Sequence, residues 1–338
     1  MASSFDPAAL LSDAVMARLT DLRVDKAPQI HQIAAARNRR PQLSSDGRLN
    51  LIAIDHPARG VTAAAGEPLA MADRRSLLAR TIRALEDTGV DGVVATTDII
   101  EELLLLHGIA EGAHAGFLHR KLLVGSLNRG GLAGSAWELE DPWTGPSAKA
   151  CASLRLDGAK LLLRVALEER DSLPTLTFAA NAISAMHAQG IPCFVEPLVV
   201  HKHDGGWAVD HDAARLAQLV GVTTALGDSS ARVWLKLPMV EQMATVARAT
   251  TQPSLLLGGA THDDAAGFIR QVHAAMQAGH NMRGVVLGRN VLVPRDADPR
   301  AIAAAVSAVV HQRASLDAAL AVLAAPPPAI TPLTPSPS

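Results

Sequence analysis

"LNLIAIDHPARG" (residues 49–60) is the stretch on which the fold turns. Its first eight residues form a mostly apolar run of strand length, the pattern of a strand covered on both faces in a parallel sheet. A doubly wound sheet built around a dinucleotide carries a Gly-rich turn directly after that strand. Here the run leads instead into "DHPARG", which favours a closed barrel over the open sheet.

Seven further runs of the same kind follow: "GVVATT" (92–97), "KLLVGS" (121–126), "GAKLLLRV" (158–165), "PCFVEPLVV" (192–200), "RVWLKLP" (232–238), "PSLLLGG" (253–259) and "RGVVLGRN" (283–290). Polar or Gly-rich loops and helical stretches separate them. Leu78, Ile82 and Leu85 fall at helical spacing before Gly89, as Ile183 and Met186 do before Gly190. Eight strand–helix units over about 260 residues match the length of a (β/α)8 TIM barrel, an α/β fold. The reading is one barrel domain over 46–324, a helical extension over 1–45 and a disordered Pro-rich tail over 325–338.

Composition narrows the function classes. The formal charge is −2, aromatic residues make up 3% and there is no tyrosine, so neither an electrostatic nor a stacking case exists for nucleic acid. Cys151 and Cys193 are too few for a disulfide framework and form no CxxC pair. The N-terminal residues lack a basic stretch followed by a long apolar core, and no apolar run approaches the roughly 18 residues of a membrane span. A cytoplasmic protein with no membrane partner is expected.

Within the apolar runs stand four ionisable residues, Asp55, Lys160, Glu196 and Lys236. Burying one charge costs several kcal/mol unless it is paired, so mixed charges on four strands imply a shared network. A barrel gathers its reactive groups at the carboxyl ends of its strands. A lysine amine is nucleophilic when deprotonated, and desolvation together with a neighbouring cation favours that form. A carboxylate in reach moves the protons as a carbonyl becomes an iminium. The alternative is a structural ion network inside the barrel.

These residues carry a family resemblance. Residues 49 to 295 resemble the class I aldolases that include deoxyribose-phosphate aldolase, tagatose-bisphosphate aldolase and archaeal-type fructose-bisphosphate aldolase. The motifs are "AIDHPARG", "DGAKLLLRV", "CFVEPLVV", "VWLKLP", "LLLGGA" and "VVLGRN", in order. The resemblance implies that Lys236 forms a Schiff base with a ketose and that Lys160 and Glu196 handle proton transfer and dehydration. Asp55 would orient the substrate or assist protons. The archaeal type uses a tyrosine for part of this work, and its absence here places the chain nearer the tagatose-bisphosphate type. No cofactor and no metal is implied. The implied reaction is cleavage of a phosphorylated sugar or deoxy-sugar acid to dihydroxyacetone phosphate and an aldehyde. Alternatives are transaldolase or sugar-synthase chemistry on the same lysine, or a non-catalytic sugar-phosphate sensor.

The Gly-rich seventh and eighth runs fit a phosphate site independently of the resemblance. Gly258 and Gly259 let the backbone approach an anion, with Thr261 or Asp263 capping the next helix. Gly288 and Arg289 add a backbone donor and a planar cation. Further candidates for substrate contact are His56, Asn128, Arg129 and the pair Thr97 and Asp98. Arg164 is expected to bind a second anion or pair with Glu168. His201 and His203 could bind zinc with His56 or His262, but a solvated pair is the commoner outcome. Trp137, Trp143, Trp207 and Trp234 read as packing residues. A homo-oligomer acting on a phosphorylated small molecule is the expected assembly.

Overall fold

A computed structural model describes residues 5–336 apart from 260, 261 and 263. The eight runs become strands β1 (Leu49–Ala53), β2 (Gly92–Ala95), β3 (Leu122–Ser126) and β4 (Gly158–Val165). They continue as β5 (Cys193–His203), β6 (Val233–Pro238), β7 (Ser254–Leu257) and β8 (Met282–Leu287). Each is parallel to its neighbours, and β1 pairs with β8, Leu49 opposite Gly284, so the sheet closes on itself. Helices surround it. The fold is a (β/α)8 TIM barrel.

Side chains alternate along a strand, and the alternation explains where the charges go. Outward positions such as Ile52, Val93, Leu123, Leu161, Val195 and Leu235 join the large core beneath the helices. Inward positions Leu49, Leu51, Ala53, Val124, Phe194 and Val286 fill the lower barrel, with Trp234 packed against them. That interior leaves no spare room: a Cβ on Gly158 would come within 2.6 Å of the Phe194 ring. Two residues further along, the same inward face presents Asp55, Ser126, Glu196 and Lys236 from β1, β3, β5 and β6. Lys160 enters from β4, two residues beyond Gly158. The apolar plug below thus sets a polar layer above it.

Outside the barrel, helix Arg74–Leu85 buries Leu77, Leu78 and Ile82 and stops before Gly89, while Gly190, at φ 69°, follows helix Ser172–Ala188. Among the described residues the N-terminal extension holds three helices, Pro7–Leu10, Asp13–Asp25 and Gln29–Ala36. They pack on Arg74–Leu85 and on Thr97–Ile109. Strand β5 runs on past the barrel and pairs with a short antiparallel strand, Gly206–Val209, beside the mouth.

The Pro-rich tail departs from the expectation of disorder. Arg83 donates to Pro328 O (2.5 Å), Leu333 N donates to Leu10 O (2.9 Å), and Thr334–Pro335 pairs with Ala110–Glu111. Composition showed that the segment cannot build a core of its own. It borrows one, with Leu333 buried against the N-terminal helices. Among the described residues no helix is long and apolar enough to cross a membrane.

Candidate active site

The polar layer forms one continuous charge ladder. Lys236 Nζ lies 3.0 Å from Glu196 Oε1, and Lys160 Nζ lies 2.5 Å from Glu196 Oε2 as an ion pair. Lys160 Nζ is also 3.4 Å from Asp55 Oδ2, which pairs in turn with Arg129 and accepts from the Ser126 hydroxyl. Lys160 and Asp55 are fully buried. Alternating signs make this burial tolerable, since each charge faces an opposite one in place of water.

The neighbours set the protonation states. Burial raises the Glu196 carboxyl, but Lys160, Lys236 and Arg129 outweigh it and hold it at about 2. Burial acts the same way on Asp55, where Arg129, Lys160 and Lys236 hold the carboxyl well below the usual range. Burial, reinforced by Arg129, pushes the Lys160 ammonium down to about 8 against the pull of Asp55 and Glu196. His56 is pushed down to about 3 by burial, so its imidazole is neutral at physiological pH.

A cleft of about 350 Å³ opens over this layer at the carboxyl ends of the strands, and Lys236 and Glu196 line it. Lys160 and Asp55 lie behind them. Their seclusion argues against direct substrate contact by Asp55, which instead holds Lys160 and Arg129 in place. Along the β7–β8 side the cleft is lined by Gly258, Gly259, Gly288 and Arg289. Gly259 has φ 63°, which favours glycine there, and a Cβ on Gly288 would clash with His56 Cε1, so glycine is required at 288. Arg289 donates to Gly259 O (3.0 Å), and its Nε is buried without a partner among the described residues. Thr261 and Asp263 lie outside the described residues; Asp264 caps helix Ala265–Met276 by accepting from Gly267 N.

Two expected substrate contacts are committed elsewhere. Asn128 accepts from Leu162 N (2.8 Å) and donates to Leu162 O (2.8 Å) and Asp141 O (3.2 Å), so it braces the loop after β3 against β4. Arg164 pairs with Glu138 (2.7 Å) and donates to Gly131 O (3.0 Å), which ties down the same loop. Its suggested partner Glu168 pairs with Arg215 (3.0 Å) instead. Both errors share a cause, because the true partners are mainly backbone atoms and a carboxylate of an irregular loop.

Thr97 and Asp98 line a neighbouring cavity. His201 and His203 sit exposed on the extension of β5. Among the described residues no group of three or more His, Cys, Asp or Glu is arranged to hold a metal ion. Trp143 packs against Phe178 and Trp234 against Phe194, whereas Trp137 is half exposed.

The sequence reading missed Arg59, Glu138 and Ser126. Arg59 lines the cleft, pairs with Glu138 and donates to Gly131 O (3.0 Å). Glu138 therefore grips two arginines, Arg59 and Arg164. The available signal for Arg59 was its place in "DHPARG", just after Asp55.

A family model described as Cgl0159-like matches residues 47–310. The solved structure of Cgl0159 from Corynebacterium glutamicum is 33% identical, covers 90% of this chain and 100% of its own, and superposes with a TM-score of 0.82. An archaeal fructose 1,6-bisphosphate aldolase covers 84% of this chain and 99% of its own at 18% identity and a TM-score of 0.58, a likeness of fold. An uncharacterized aldolase of Saccharolobus solfataricus is 31% identical over 137 residues, 40% of this chain and 47% of that protein. The chain thus spans about half the length of that curated relative. Together these likenesses fit the class I aldolase superfamily that the motifs resemble.

Proposed function

The chain belongs to the Cgl0159-like family, and from that premise we propose that it is a class I aldolase, cleaving a carbon–carbon bond of a phosphorylated sugar or deoxy-sugar acid through a Schiff base on Lys236. The observation that carries this reading is an asymmetry between two lysines. Lys236 lines the cleft with Glu196 3.0 Å away, while Lys160, on the far side of that carboxylate, is sealed from solvent.

Glu196 rests as a carboxylate. It takes a proton from the Lys236 ammonium, which frees the amine to attack the substrate carbonyl. It then gives that proton to the carbinolamine hydroxyl, which leaves as water. The resulting iminium is electron-poor, so the adjacent carbon–carbon bond breaks toward it as a hydroxyl on the departing fragment gives its proton to the Glu196 carboxylate. An aldehyde leaves and an enamine stays. Protonation at carbon and hydrolysis release the ketone, which we take to be dihydroxyacetone phosphate.

Lys160 holds Glu196 in its ionised form and supplies positive charge behind it. The phosphate would rest on backbone amides at Gly258, Gly259 and Gly288, with the Arg289 guanidinium beside it. His56, neutral and half-buried beside Gly288, shapes that wall without adding charge.

The test is a panel of phosphorylated ketoses and keto sugar acids, with aldehyde and dihydroxyacetone phosphate followed by NMR. Cleavage of at least one member by the unaltered protein, and none by Lys236→Met, supports the reading. Equal cleavage by both proteins contradicts it. Met fills most of the same apolar volume, so the variant should stay folded.

A further inference from the structure

The cleft carries guanidinium charge on two walls. Arg289 follows β8 and donates to Gly259 O after β7. Arg59 follows β1 and leans the other way, pairing with Glu138 and donating to Gly131 O in the loop after β3. In the closed sheet β3 lies four strands from β7 by either path, so the two arginines are anchored on opposite sides of the mouth. Glu196 is among the charges that act on Arg59. A substrate with its phosphate at Arg289 and its breaking bond beside Glu196 therefore points its far end toward Arg59.

Arg59 is arranged to receive an anion. Its Nε and Nη2 are engaged with Gly131 O and Glu138, which fixes the plane of the guanidinium. Its Nη1 has no partner among the described residues, and the side chain, 17% accessible, lines the cleft. Arg129 lines the same cleft and is the cation that acts most strongly on Arg59.

The surroundings select which anion. Arg59, Arg129 and Arg164 are met by Glu138, Asp55 and Asp141, three charges against three. A phosphate dianion would bring a double negative charge toward Glu138 and Asp141. The loop amides that could cradle it are spent, because Gly131 N donates to Asp141 (3.0 Å) and Gly134 N donates to Glu138 (2.7 Å). A carboxylate brings a single charge, and its planar pair of oxygens matches a guanidinium edge.

We propose that Arg59, with Arg129 as its neighbour, binds a carboxylate at the end of the substrate remote from the phosphate. The substrate is then a phosphorylated keto sugar acid, and the departing aldehyde carries the carboxylate away. The proposal rests on the Schiff-base reading above and narrows its substrate class, setting sugar acids ahead of bisphosphates and neutral-ended sugars. Held at both ends, the chain presents the bond between them to Lys236 and Glu196 in one geometry, which is how remote binding groups promote a reaction.

The experiment compares a ketose phosphate in three forms, whose terminal carbon remote from the phosphate is a carboxylate, a primary alcohol or a phosphate ester. Cleavage is read as kcat/KM, and borohydride trapping on Lys236 is measured alongside. The unaltered protein should favour the carboxylate form over the alcohol by about 10–100-fold, the range of one charge-assisted hydrogen bond. Arg59→Gln should erase most of that preference, while the Lys236 adduct still forms with the alcohol. Arg59→Lys, which keeps the charge but not the planar fork, should retain part of it. Glu138 keeps Arg164 and Gly134 N as partners in both variants, so the loop stays tied. A ratio near one in the unaltered protein, a ratio unchanged in Arg59→Gln, or fastest cleavage of the phosphate ester overturns the carboxylate site and leaves the Schiff base standing. Loss of the adduct from Arg59→Gln with every form also overturns it, because Arg59 would then only build the site. Cleavage by the unaltered protein with no adduct on Lys236 overturns the Schiff-base reading, and the carboxylate site with it.

Discussion

Glu196 stands between two lysines of unequal access: its Oε1 is 3.0 Å from Lys236 Nζ in the cleft, and its Oε2 is 2.5 Å from the buried Lys160 Nζ. One carboxylate thus separates the amine that meets substrate from the ammonium that never does. That division of labour generates the predictions that follow.

Glu196→Gln keeps the shape of the side chain and removes its charge. Loss of a positioned acid–base group typically lowers turnover by about 10²–10⁴-fold, and that range is expected here. Lys160 is charged below its value of about 8, so activity that needs its positive charge should fall as pH rises through that value. Glu196 is among the groups that raise the Lys160 value. Without it the alkaline limb should move to lower pH, which steady-state rates across a pH series would reveal.

Arg289 offers an Nε with no partner among the described residues and faces the cleft beside Gly259. Arg289→Ala should raise KM for a phosphorylated substrate by about tenfold or more, since charge-assisted hydrogen bonds to phosphate are among the stronger polar contacts. Cleavage of the matching unphosphorylated sugar should change much less. Equal effects on both substrates would place the phosphate elsewhere.

Glu138 is buried and holds Arg59 and Arg164 together. Glu138→Ala leaves two guanidiniums without that partner at the barrel mouth. Removing one member of a buried ion pair costs about 3–5 kcal/mol, and a loss of that order is expected in denaturant unfolding. Because Arg59 lines the cleft, KM should rise as well.

A pH-dependent tie lies at the other end of the barrel, where His311 sits 2.8 Å from Asp46 and 3.1 Å from Asp91. Burial opposes its charge, but hydrogen bonds to Asp91 and Asp46 win and raise the imidazole from 6.5 to about 9. The folded value exceeds the unfolded one. The stabilisation is therefore full below pH 6.5 and fades as pH rises through about 9. After discounting for solvent screening it amounts to roughly 1–2 kcal/mol. Melting curves of His311→Gln should lack that alkaline decline.

The barrel was legible because its strands are buried on both faces and so read as apolar runs without alternation. A charge inside such a run stands out, which is why Asp55, Lys160, Glu196 and Lys236 could be picked from the sequence and why the structure gathers them. The loop after β3 was far less legible. It has no period, and Glu138 meets Arg59 and Arg164 across sequence separations of 79 and 26 residues. Asn128 and Arg164 were misjudged for that reason. Ser126 looked like an ordinary strand end, and only the fold sets it beside Asp55. The tail misled by composition, since proline-rich sequence lacks a core but can still dock along one.

The most direct measurement is borohydride reduction in the presence of a cleaved ketose phosphate, followed by peptide mass mapping. The account predicts one stable adduct, of the mass of the reduced ketone fragment, on the peptide carrying Lys236. An adduct on Lys160, or full cleavage activity with no adduct on any lysine, would contradict it.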